Sequence, residues 1–161
     1  MTLEFREVTE ENFAEFIELE VNPEQKNSFF FKSTKPNIIS LAQTYIYKGS
    51  QILAVYADGT MVGSIFYSRD DTEPSNFWLT RFMIDKRYQK KGYGRQAMLM
   101  LFDRVKQENG GEPVRLGLSY EPENTVAEKL YMNLGFEETG EMLGEQKVVR
   151  KELTSSENTV R

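Results

Sequence analysis

Between positions 86 and 95 the chain sets five cationic side chains, Lys86, Arg87, Lys90, Lys91 and Arg95, around Gly92 and Gly94. Glycine lets a backbone turn sharply and come close to a ligand. The open amides and partial positive charge at the start of a following helix favour an anion there. The chemistry suggested is a grip on phosphate; the plainer alternative is a glycine turn with a solvated basic edge. A second set, Asn124, Ala127 and Tyr131, is spaced by three and four residues and so shares one face of a helix. A phenol there can hold or give a proton, although an Asn also caps helices and a Tyr is often a core residue with a satisfied hydroxyl. Glu20, Asp70, Asp71 and Glu73 are the acids that could face a cationic substrate, or else belong to the surface.

Composition narrows the chemistry. The 161 residues include neither cysteine nor histidine, which excludes disulfides, thiol nucleophiles, imidazole bases and the usual Cys/His zinc sites, so no metal is expected. Any catalysis must use carboxylates, Tyr, Lys, hydroxyls or backbone amides. With 20 basic and 25 acidic residues the net charge is -5, which repels nucleic acid and anionic membrane and suits a cationic substrate. The acidic first 30 residues do not read as a signal peptide, and no apolar run is long enough for a membrane helix. The expected location is cytoplasmic.

The elements that must position these residues can be read from periodicity. Leu3 to Val8 alternates as a strand; Thr9 can cap a helix carrying Phe13, Phe16 and Ile17 on one face. Pro36 opens a helix through Ile46, with Ile38, Leu41, Ala42 and Tyr45 at helical spacing, and Gly49 ends it. Gln51 to Ala57 and Met61 to Ser68 form a hairpin around Asp58-Gly59-Thr60. A polar loop leads to the strand Phe77 to Asp85. After the glycine loop comes a helix with the stripe Ala97, Met98, Leu101, Phe102 and Val105, stopped by Gly110-Gly111. Pro113 to Tyr120 is a strand. Asn124 to Asn133 is a helix with Val126, Ala127, Leu130, Tyr131 and Leu134 on its buried side, and Phe136 to Leu153 is strand-like. The order is βααβββαβαββ, a mixed α/β fold with one domain over 1–153 and a flexible tail over 154–161.

The segment Gln89-Lys90-Lys91-Gly92-Tyr93-Gly94 lacks the G-x-x-x-x-G-K-[ST] frame of nucleoside triphosphatases and the G-x-G-x-x-G frame of dinucleotide folds. It resembles the pyrophosphate loop of the GNAT superfamily of acyl-CoA-dependent N-acetyltransferases at Gln89, Gly92 and Gly94. About thirty residues beyond, Asn124, Ala127, Tyr131, Gly135 and Phe136 fit the family's second motif in order. The resemblance spans about Leu3 to Leu153. Trp78 to Gln89, the Val21 to Lys26 region and Ser40-Leu41-Ala42 are similar to the bacterial spermine/spermidine acetyltransferases of that superfamily.

The resemblance implies a central, mostly antiparallel twisted sheet flanked by helices, with a splayed strand pair holding acetyl-CoA as co-substrate. It implies direct acetyl transfer to a small cationic amine, spermine or spermidine. Pantetheine would lie along Phe82, Met83 and Ile84, and the pyrophosphate on Gln89, Lys90, Lys91, Gly92, Tyr93, Gly94 and Arg95. Asn124 and Ala127 would also meet the cofactor, and Tyr131 would be the general acid. Several relatives carry a carboxylate where this chain has Thr80, which cannot serve as a base at neutral pH, so no catalytic carboxylate is named and a water chain serves as well. The alternatives are transfer to a peptide or amino acid, a CoA-binding module without catalysis, and an interaction domain using the Lys86 to Arg95 patch. Exposed sheet edges, with Met98 and Met100 on one helix, allow a homodimer.

Overall fold

The structure, a computed structural model, describes residues 2–22 and 35–154. In chain order the elements are β1 (Leu3–Glu7), α1 (Phe13–Phe16), α2 (Pro36–Ile46), β2 (Ser50–Ala57), β3 (Thr60–Arg69), β4 (Asn76–Ile84), α3 (Tyr93–Glu108), β5 (Val114–Tyr120), α4 (Thr125–Asn133), β6 (Glu137–Leu143) and β7 (Gln146–Leu153). That is the order read from periodicity. The strands form a seven-stranded sheet, β1-β2-β3-β4-β5-β7-β6, antiparallel throughout except between β4 and β5.

Local chemistry explains the regular parts. At the β2–β3 turn both Asp58 and Gly59 have positive φ, 49° and 83°, which is the two-residue hairpin geometry that Asp-Gly favours. Pro36 takes the first turn of α2, where its missing N–H costs nothing. A parallel strand pair needs a crossover, and α3 supplies it between β4 and β5.

The sheet buries both faces. Met98, Leu101, Phe102 and Val105 of α3, with Tyr131 of α4, pack on Leu53, Ile65, Tyr67, Phe77, Leu79, Leu116 and Leu118. On the other face Phe16, Leu19 and Val21 pack on Ala54, Tyr56, Met61 and Met83. Each such side chain contributes about 1.5–3 kcal/mol relative to exposure. No helix among the described residues is long and apolar enough to cross a membrane.

Several expected core positions are corrected. Phe13, Ile38, Tyr45 and Val126 are exposed, Tyr45 almost fully (93%). Helical spacing identifies a stripe but not its width, and α2 and α4 each bury a narrower face than their apolar residues could supply. α1 is a single turn, because Ile17 already forms its C-cap. Residues 23–26 of the Val21 to Lys26 region and residues 155–161 of the expected tail lie outside the described residues.

β3 and β4 approach so closely at Gly63 that a Cβ there would fall well inside contact with the Met83 carbonyl oxygen and 2.9 Å from Ile84 Cδ1. Gly63→Ala should therefore cost about 1–3 kcal/mol as β4 is pushed aside, read as a lower urea midpoint at unchanged slope.

Candidate active site

The site is built from an interruption. β4 and β5 pair only over Asn76–Leu79 and Arg115–Leu118. β4 stays paired to β3 as far as Ile84, and β5 stays paired to β7 as far as Tyr120. From Thr80 to Ile84 the β5 side of β4 thus has no strand partner among the described residues, and its backbone groups are open to a ligand. A register shift in the β3–β4 pairing, with Phe66 opposite Arg81 and Tyr67 opposite Leu79, leaves Thr80 as the bulged residue where the opening begins. Phe82 is half-buried against the α3 side of the sheet, whereas the Met83 side chain belongs to the opposite cluster with Phe16 and Leu19. Met83 can therefore meet a ligand in the opening only through its backbone.

Above the opening α3 begins. Its N-cap, Gly92, has φ 83° and gives no side-chain cap, so the first amides of α3 have no acceptor within the helix. Lys90 is also left-handed, with φ 63°. Left-handed residues beside an open helix start are the backbone pattern of anion-binding nests. A Cβ on Gly94 would lie 3.7 Å from Leu130 Cδ2 and 3.9 Å from Phe82 Cε2, so α3, α4 and β4 converge there.

The five cations divide. Lys86 Nζ pairs with Glu20 Oε2 at 2.8 Å, and Arg87 Nε with Asp85 Oδ1 at 2.7 Å. Lys90, Lys91 and Arg95 are exposed and form no ion pair among the described residues. Gln89 is engaged at both ends of its amide: Nε2 donates to the Ile84 carbonyl at 2.8 Å and Oε1 accepts from Asn22 Nδ2 at 2.8 Å. Its side chain holds the loop. Tyr93 is half-buried against the cluster around Ala97.

On α4, Asn124 Oδ1 accepts from the Ala127 N–H at 3.1 Å, which makes Asn124 the helix cap. Tyr131 lies in the core, its ring 6.0 Å from that of Tyr120 and edge-on to Phe136 at 5.6 Å. Its hydroxyl makes no hydrogen bond among the described residues. Burial, with the neighbouring Tyr120 adding to it, pushes the phenol's pKa well above its ordinary value, so the group is a proton holder at neutral pH and not a base.

Of the four acids, Glu20 is paired with Lys86. Asp70 caps its own loop through Thr72 and Glu73, whose donors lower its pKa, and Glu73 accepts from Asn76. Only Asp71 lines a recess, about 250 Å³ in volume, that runs from Thr80 along Phe66 and Ser68 to Gln43 of α2. The Gln43 Oε1 atom is buried with no hydrogen-bond partner among the described residues and calls for a donor.

Two residues were not read from the sequence. Arg81, 6% exposed, donates from Nη1 to Ser40 Oγ at 2.8 Å, and burial pulls its pKa down to about 10. Asp85, 1% exposed, accepts from the Arg87 and Glu20 amides and from Arg87 Nε. Its place directly after a strand and before a turn was the available signal, since Asp caps turns there.

Residues 17–136 match the acetyltransferase (GNAT) family. The chain is 30% identical over 159 residues to the spermine/spermidine N(1)-acetyltransferase of Bacillus subtilis (strain 168), covering 95% of this chain and all of that protein. It superposes with a TM-score of 0.72 and 18% identity on the spermidine N-acetyltransferase of Vibrio cholerae, whose crystal structure contains CoA and spermine, over 96% of each chain. The ribosomal-protein-S18-alanine N-acetyltransferase of Escherichia coli gives 0.68 at 15% identity, over 95% of each chain, so the shared fold does not select an acceptor. The chain belongs to the GNAT family of N-acetyltransferases.

The Asp85 environment makes a prediction. Burial pushes this carboxyl up, but the bonds from Arg87 and the Glu20 amide outweigh it and hold the pKa below its ordinary value. A depressed folded pKa contributes stability that is complete above about 3.9 and is lost as pH falls through the lower folded value. Asp85→Asn should be less stable than wild type by about 1.5–3 kcal/mol at pH 7. Denaturant titrations should show the gap closing below about pH 4.

Proposed function

We propose that this chain transfers the acetyl group of acetyl-CoA directly to a small cationic amine of the spermine or spermidine type. The observation that carries the cofactor reading is the uncapped start of α3 at left-handed Gly92, with Lys90, Lys91 and Arg95 beside it unpaired among the described residues, and the open edge of β4 leading away from it. The polyamine reading rests on the Bacillus relative, on the net charge of -5 and on the recess beside Thr80, where Gln43 Oε1 and Asp71 offer acceptors to an amine.

Bound acetyl-CoA would bring a thioester acyl group and a leaving thiolate comparable to cysteine, pKa about 8.5. The pyrophosphate would be held by the α3 amides, Lys90, Lys91 and Arg95, and the thioester end would follow Phe82 to Ile84. Tyr131 Oη carries the only phenolic proton in this reading and donates to the sulfur as charge builds there. Burial raises its pKa, so the phenol would stay protonated at neutral pH and stabilise the developing thiolate by a hydrogen bond, and any proton it gave to the sulfur would be replaced by the one lost from the acylated nitrogen. A lysine-like amine is neutral in only about one molecule in 2,500 at pH 7. The acceptor must shed a proton before attack, and exposed Thr80 leaves that edge of the site accessible to water.

An acetylation screen of polyamines, amino acids, aminoglycosides and peptides should show spermine or spermidine preferred, with KM rising with salt as the attraction is screened. Acetylation of peptides, neutral or anionic acceptors alone would overturn the polyamine reading. Tyr131→Phe keeps the ring packing and should lower kcat by about 10- to 1,000-fold while CoA affinity stays within a few-fold. Unchanged turnover in the folded variant would remove the phenol from the reaction. Gly92→Val forces a β-branched residue into a left-handed φ and should abolish CoA binding in calorimetry.

A further inference from the structure

We propose that Asp85 is a positioning residue that clamps the segment Leu19–Asn22 to the β4–α3 connector and thereby sets the CoA-binding geometry of that connector. The inference rests on the acetyl-CoA reading above. The clamp has two arms. At one end Asp85 divides its oxygens: Oδ1 accepts from the Arg87 N–H at 2.9 Å and Arg87 Nε at 2.7 Å, and Oδ2 accepts from the Glu20 N–H at 2.9 Å. The Lys86 N–H returns the bond to the Glu20 carbonyl at 2.7 Å. At the other end Asn22 Nδ2 donates to Gln89 Oε1, and Gln89 Nε2 holds the Ile84 carbonyl, both at 2.8 Å.

Directly after the second arm the chain must put Lys90, a non-glycine residue, into the left-handed region, and Gly92 follows it there. Such a conformation persists only where its surroundings fix it. Leu19 is fully buried and Val21 nearly so, which anchors the far side of the clamp in the α1-side core. The connector is therefore braced from the core through backbone amides, and the geometry of the anion site depends on a carboxylate that is not itself part of it.

Only a group with two acceptor oxygens can accept from Arg87 and from the Glu20 N–H at once. Asparagine has one, and Asn is a good turn cap, so Asp85→Asn can keep the bond to the Arg87 N–H but turns an NH₂ donor toward the Glu20 N–H, opening the clamp. The sign of the effect is diagnostic. Removing a negative charge beside an anion site, and freeing Arg87, should tighten CoA binding if electrostatics alone operate. Loss of the clamp should weaken it.

The test titrates CoA calorimetrically into wild type, Asp85→Asn, Asn22→Ala and Val105→Ala, the last a buried α3 position remote from the loop that lowers Tm without touching the connector. Asp85→Asn is expected to raise Kd about five-fold or more, and to raise the KM for acetyl-CoA with kcat changed less, while Val105→Ala leaves Kd within about two-fold. A folded Asp85→Asn protein that binds CoA as tightly as wild type, or more tightly, overturns the inference. Should that variant not fold, Asn22→Ala decides by the same two-fold and five-fold limits. A wild-type chain that binds no CoA overturns the reading of the site itself, and this inference with it.

Discussion

The parallel pairing of β4 and β5 lasts four residues and then stops, and the functional end of the molecule depends on that stop. Two frayed strands would not make a site, because exposed backbone groups would simply find each other or water. Here each strand is held by its other neighbour: β3 keeps β4 in register to Ile84, and β7 keeps β5 in register from Val114 to Tyr120. The bulge at Thr80 turns β4 away at the point where the pairing ends. The cleft is therefore fixed by hydrogen bonds on its outer sides, and its inner backbone groups are left for a ligand at little cost to the sheet.

The charge distribution follows the same division between holding and binding. On the proposed reading an acidic chain grips a polyanion; its overall field is repulsive, so the attraction would have to be short-ranged and local. Lys86 and Arg87 are spent on Glu20 and Asp85, fastening the connector, and Lys90, Lys91 and Arg95 are left exposed around the amides of α3. A count of basic residues in the loop makes no distinction between the two groups. Only the three-dimensional partners do.

The features legible in the sequence were those whose cause is local. The Asp-Gly hairpin, the α3 stripe ending at Gly110 and the order of elements depend on residues within a few positions of one another, and all were found in place. What escaped depends on contacts across the fold. Tyr45 and Val126 fit a helical stripe, yet none of the described residues covers them, because periodicity does not say how wide a face the partner surface will bury. Asn124, which the resemblance places at the cofactor, also caps α4, and Gln89 carries its motif position while bracing Ile84 and Asn22. Asp85 and Arg81 are buried charges whose partners, Glu20 and Ser40, are 65 and 41 residues distant. No pattern along the chain announces such pairs.

Tyr131 shows why the second motif must stand where it does. Its neighbour Leu130 lies within contact of the space above Gly94, so the helix that carries the phenol and the helix that carries the anion site touch at their ends. The phenol ring is fixed between Tyr120, at the end of β5, and Phe136, just before β6. Its position relative to the start of α3 is thus set by packed side chains of α3, α4 and β5. A core contact costs little to maintain and does not depend on pH, salt or a bound ligand. Spacing the two chemical groups through the core, and leaving only the connector to be braced by polar bonds, confines the sensitive part of the site to the few residues around Asp85.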